Sequence, residues 1–158
     1  LFVSSEFTEV KMNNIDMKQV NIYQDLVRTE FLSLKSISSF DESVNHSIPL
    51  ADGKGHLKCV SELHANDESL ISLLAKWRME AKTFHNKFNV TNESTKYWIR
   101  KLLLDVPDRI LFLVVNRFGR PVGHMGFANV LNDQCMMEFD NVIRDRFSFA
   151  SIFTENLT

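Results

Sequence analysis

The sequence predicts an α+β domain with a mixed, largely antiparallel sheet and flanking helices. Three observations predict it: a wide apolar helical face behind a first strand pattern, an unbroken run of β-type residues at Ile110 to Val115, and turn signals joining that run to two further strand patterns. A strand, two helices and then three strands on short turns is an order that segregates helices from strands, unlike the alternation of a doubly wound sheet.

Taken in order, Leu1 to Lys54 is serine-rich with scattered apolar residues and reads as an N-terminal appendage to the principal domain, which runs from residue 55 to 158. Within the appendage Val20, Tyr23, Val27, Phe31 and Leu34 recur at helical spacing, which predicts a helix over Met17 to Leu34 that packs on the main domain or on a partner. Pro49, Gly53 and Gly55 punctuate the chain before His56 to Leu63, a partly alternating strand pattern. Asn66 or Asp67 supplies an N-cap for a helix to about Glu80, whose face is Leu70, Ile71, Leu73, Leu74 and Trp77. Thr91 caps a second helix with Glu93 in its first turn, and that helix closes before Pro107. Ile110 to Val115 and Pro121 to Val130 form a hairpin around Gly119, and Gln134 to Ile143 follows a turn at Asn132 and Asp133 as a third strand.

Composition narrows the function classes. The chain has 158 residues and 44% hydrophobic content, enough for one core, and its 18 basic and 20 acidic side chains leave a formal charge of −2. That balance gives no electrostatic basis for binding nucleic acid or an anionic membrane surface. No apolar run is long enough to span a bilayer, and no signal-like segment opens the chain, so the expected compartment is the cytoplasm. Cys59 and Cys135 lack the close spacing of a zinc site or a redox pair, and no metal is expected. The leading residue, Leu rather than Met, suggests a piece of a longer chain or a processed one.

The linked motifs Leu70 to Arg78 with its LLAKWR core, the helix from Thr91 to Leu104, DRILFLVV, RPVGHMGF and MMEFDNVIR, in that order, resemble the first half of a GNAT-type acyl-CoA N-acyltransferase. The resemblance covers about residues 56 to 144. It implies transfer of an acetyl group from acetyl-CoA, as cosubstrate, to a small amine, an amino sugar or a protein amino terminus. It also implies that the pantetheine arm lies along the fourth strand, here Met136 to Ile143, with Phe139, Asn141, Val142, Ile143 and Arg144 on the cofactor side and an oxyanion donor among the backbone N–H groups near Phe139 to Val142.

Such chemistry needs a base for the attacking amine and a donor for the thioester oxygen. Glu138 and Asp140 are the candidate acids: two residues apart on a strand, they share a face about 6 to 7 Å apart, where mutual repulsion raises one pKa, unless each is instead solvated or paired with Arg or Lys. Asn141 is a candidate substrate-orienting residue, or it satisfies a sheet edge. His124, between Gly123 and Gly126, is a substrate-binding candidate at a spot that admits a bulge, or a structural histidine. Arg78 offers charge to an acidic substrate if it faces the cleft. Trp77 and Trp98 read as core, and Phe84, His85 and Phe88 line an acceptor pocket or cover the sheet edge.

The chain departs from the family after Arg144. A Gln/Arg-x-x-Gly-x-Gly/Ala loop normally holds the CoA pyrophosphate there through backbone N–H groups, whereas this chain continues Asp145-Arg146-Phe147-Ser148-Phe149-Ala150 with no glycine after Gly126. The fold is therefore expected to be incomplete at its C-terminus and to lack the family's thiolate-protonating tyrosine. A free fourth-strand edge with Phe147, Phe149, Ile152 and Phe153 nearby invites a homo-oligomer or a partner chain. The alternative to an enzyme is a non-catalytic, truncated acyltransferase-like interaction module.

Overall fold

In the computed structural model the described residues are 16–81 and 89–145. The expectations for Phe84, His85 and Phe88, and for Phe147, Phe149, Ile152 and Phe153, fall outside them.

The helix expected over Met17 to Leu34 is α1, Met17–Ser36, started by the Asp16 side chain accepting from the Lys18 N–H. Its buried end is fastened by Lys35, whose ammonium donates to the carbonyls of Leu103 at 2.9 Å and Val106 at 2.6 Å. Burial pushes the Lys35 pKa down to about 8, partly resisted by Cys59 and Asp108 nearby. A short helix α2, Phe40–Asn45, capped by Ser39, and a two-residue strand β1, Ile48–Pro49, complete this segment. β1 pairs antiparallel with β2, Gly55–Cys59, and its proline sits on an edge strand, where a missing N–H costs no ladder bond. Gly55 opens β2 with φ +149°, and a Cβ there would lie 2.0 Å from the Val115 carbonyl oxygen, so only glycine fits.

Beyond β2 the chain turns at Glu62–His64 rather than staying extended to Leu63, because the His64 ring folds back onto the Ser61 N–H at 3.2 Å and closes the turn. Helix α3, Glu68–Glu80, is capped by Asp67, which accepts from the Ser69 and Leu70 N–H groups. Helix α4, Asn92–Tyr97, is capped by Thr91 and continues into a π-helical segment, Trp98–Leu104, closed by the Asp105 N–H bonding the Arg100 carbonyl five residues back. In so wide a turn residues five apart share a face, which is why Trp98 with Leu103 and Ile99 with Leu104 all reach the core.

Strands β3, Ile110–Asn116, β4, Pro121–Ala128, and β5, Glu138–Arg144, finish a five-stranded sheet in the order β1-β2-β3-β4-β5, with every described pairing antiparallel. The class is α+β, as the element order predicts. β5 starts at Glu138 instead of Gln134 because Asn132 binds the turn through the Gln134 and Met136 N–H groups and Cys135 takes φ +51°, which breaks the extended run ahead of Glu138. One sheet face packs Leu111, Leu113 and Val115 against Leu70, Ile71, Leu74 and Trp77 of α3 and Trp98, Ile99 and Leu103 after α4. The opposite face packs Ile110, Phe112, Met125 and Phe127 against Phe31 and Leu34 of α1. Segment 17–54, read from sequence as an appendage, thus supplies one sheet edge and the cover of one face.

Candidate functional site

The candidate residues cluster around β5, the edge strand beside β4. Pairing runs Ala128 with Glu138, Phe127 with Phe139 and Gly126 with Asp140, then resumes at His124 with Ile143 and Gly123 with Arg144. Two steps on β4 are therefore matched by three on β5, so a bulge lies at Asn141 and Val142. Asn141 takes φ +50°, a conformation asparagine tolerates better than most side chains.

The bulge is held from inside the sheet by His124. Its Nδ1 lies 2.5 Å from the Asn141 carbonyl oxygen, and since a carbonyl only accepts, Nδ1 carries the proton. The ring is 1% exposed and wedged between Trp77 at 5.9 Å and Trp98 at 6.4 Å, centroid to centroid. Among the described residues neither His124 Nε2 nor Trp77 Nε1 has a hydrogen-bond partner. Burial pulls the His124 pKa down to about 4; the Asn141 carbonyl and Asp140 act against the shift, and Arg78 adds to it. The histidine is thus neutral near pH 7.

Arg78 is buried in the same cluster, where it donates to Thr95 Oγ1 at 3.1 Å and stacks 4.5 Å over the Trp98 ring. Burial lowers its pKa. Arg78 and His124 are therefore brought together, with Trp77 and Trp98, in the core under β5. Gly126 permits this close packing: a Cβ there would meet the Ile110 carbonyl oxygen at 2.7 Å and that of Asp140 at 3.0 Å. Gly126→Ala is expected to destabilise the fold by about 1–3 kcal/mol by forcing the three strands apart, measured as a shift in chemical denaturation midpoint.

Before the bulge, Glu138 and Asp140 sit two residues apart on one sheet face, as strand alternation requires. Their surroundings differ. Asp140 is half-buried, 3.6 Å from Arg109 Nε and accepting from the Asn141 amide at 2.6 Å. Glu138 is exposed and opens onto a cleft of about 460 Å³ whose lining, among the described residues, includes Asp108, Asn129, Asn132 and Gln134, and neither Lys nor Arg. On the other face Phe139 is 72% exposed, with its ring 5.1 Å from Phe127.

Past the bulge, Ile143 packs on the helical side of the core, while Val142 and Arg144 border a second cleft of about 340 Å³. It lies over the C-terminal end of β3 and the N-terminal end of β4, lined mostly by apolar side chains with Lys54 across from β5. Among the described residues β5 has no strand on its outer side, and no helix there is long and apolar enough to cross a membrane. Both clefts eluded the sequence. The first depends on the Asn132 turn and the second on Leu50 and Lys54, which lie more than fifty residues before the strands they meet. The bulge had one local signal, the small residues flanking His124.

Compared with known proteins, the chain matches no family model, no curated protein and no solved structure.

Proposed function

We propose that the chain forms the first half of a GNAT-type N-acyltransferase fold and moves an acetyl group from acetyl-CoA to a small amine, an amino sugar or a protein amino terminus. The observation that carries the reading is the placement of Glu138, a solvated carboxylate at the start of the bulged edge strand, opening onto a cleft that also contains Asp108. A cleft with two carboxylates and no lining cation among the described residues attracts a protonated amine, and Glu138 is placed to take the proton that must leave before nitrogen attacks the thioester carbon. The outer side of β5, which no strand covers among the described residues, offers backbone groups to an extended pantetheine arm, as strand addition does in peptide recognition. Asp140, tied to Arg109 and Asn141, shapes the strand in this scheme, and His124 fixes the bulge from behind.

A second reading is favoured by the absence of any glycine after Gly126: the half-fold is a non-catalytic module that offers its β5 edge to a partner chain. Calorimetric titration with acetyl-CoA separates the two. The enzyme reading expects saturable binding that survives Glu138→Gln, with acetyl transfer to the acceptor amine falling by about 10²–10⁴ in that variant. Absence of binding at millimolar acetyl-CoA sinks the enzyme reading and leaves the interaction module.

A further inference from the structure

Within α1 only Val20 and Lys35 are buried, while Met17, Ile22, Leu26 and Leu32 are each more than half exposed. The larger core, between the sheet and the helices that follow β2, forms without any α1 side chain. The cluster beneath α1 is smaller: its buried members are Cys59, Ile110 and Phe112, to which the helix adds Phe31 and Leu34. The polar ties are weak as well. Gln24 reaches the Leu131 carbonyl at 3.3 Å and the Asp133 carboxylate at 3.4 Å, beyond the usual range for such bonds. Lys35 makes shorter bonds, but a buried ammonium loses in hydration much of what two carbonyls return, and its lowered pKa reflects that loss. Just past the helix the chain is fastened: the Ile37 carbonyl accepts from the Leu63 N–H at 2.9 Å, and β1 then pairs with β2.

We propose that α1 is a hinged cover: it undocks as a unit about Ile37 while the sheet and its helical face stay folded, baring the sheet around Cys59 and releasing the turn that borders the acidic cleft. The unequal cores set the order of opening. Undocking gives up the contacts of Val20, Phe31 and Leu34, whereas opening the other face gives up Ile71, Leu74, Trp77, Ile99 and their neighbours. The element that buries least opens first. Helix and cleft are linked because Leu131, which Gln24 holds, lines that cleft. The cover operates whatever the cleft takes, so it does not rest on the acyl-transfer reading.

Natural probes sit on the two faces. Trp77 and Trp98, the chain's two tryptophans, both lie in the larger core. Cys59 lies beneath α1, where burial pushes its thiol up to about 12 and keeps the docked form inert. In a Cys135→Ser background, which leaves Cys59 as the sole thiol, labelling by N-ethylmaleimide is expected to depend on denaturant with less than half the slope of tryptophan-detected unfolding. Phe31→Ala is expected to speed labelling tenfold or more. Ile71→Val, on the other face, is expected to lower the tryptophan-detected midpoint and leave labelling without denaturant unchanged within twofold. The helix cannot return over the adduct, so the labelled chain is expected to keep native tryptophan emission and to exchange the Gln134 and Met136 amide hydrogens at least threefold faster. Labelling that follows the tryptophan transition in slope and in its response to Ile71→Val overturns the proposal, as does unfolded emission from the labelled chain. Unchanged exchange at Gln134 and Met136 overturns the link to the cleft.

Discussion

Replacing Trp77 by alanine is expected to cost about 3–5 kcal/mol of folding free energy, enough to leave a domain of this size close to unfolding. The indole is 1% exposed and belongs to the cluster that joins α3, the π-helical segment and β3, so its removal opens a cavity bounded by all three. Trp77→Phe is expected to cost far less, under about 1.5 kcal/mol. It keeps most of the ring contacts and deletes an indole N–H that finds no acceptor among the described residues, and an unsatisfied buried donor is itself destabilising. Guanidinium denaturation of the three proteins measures both differences. Equal losses for alanine and phenylalanine would mean that the N–H contributes a bond after all.

Acidification is expected to produce the second large effect. The His124 pKa is about 4 in the folded chain against an ordinary 6.5, so the unfolded chain binds the proton more tightly. The resulting stability is fully present above pH 6.5 and is lost as pH falls through the folded value near 4. The full difference is roughly 3 kcal/mol. Charges facing the ring come from α3, where Arg78 opposes protonation, and from β5, where Asp140 favours it. His64 is shifted in the same direction by burial and adds to the loss in the wild type. His124→Gln keeps an N–H for the Asn141 carbonyl but cannot titrate. Denaturation curves at pH 7 and about pH 4 should therefore show a much smaller drop in the variant than in the wild type. An equal drop in both would place the acid sensitivity elsewhere.

The parts of the fold written in local chemistry were legible. Asp67 and Thr91 cap the helices where their side chains predict, and the β-type run from Ile110 makes β3 because no polar residue interrupts it. What escaped depends on contacts distant in sequence. The covering role of α1 rests on Phe31 and Leu34 meeting Ile110 and Phe112, and no local pattern reveals which surface a helical stripe will find. The π-helical segment looked like ordinary helix, since Trp98, Ile99, Leu103 and Leu104 differ from an α-helical pattern only in recurring at five rather than four. At the candidate site, the shared face of Glu138 and Asp140 followed from strand alternation. Their unequal environments did not, because Arg109 reaches Asp140 from the start of β3.

The spatial order of the strands matches their order along the chain, which bears on how the molecule is made. Each strand finds its partner in the element just before or after it, apart from the single excursion through α3 and α4 between β2 and β3. The β3–β4 hairpin closes over a four-residue turn and needs no distant segment to form. It is expected to form first, with β5 adding to it next. Loop-closure entropy is then concentrated in one step, the return of β2 to β3 across the helices. Core substitutions on α3, which lies within that loop, should accordingly slow folding more than substitutions on α1, which lies outside it and should chiefly speed unfolding.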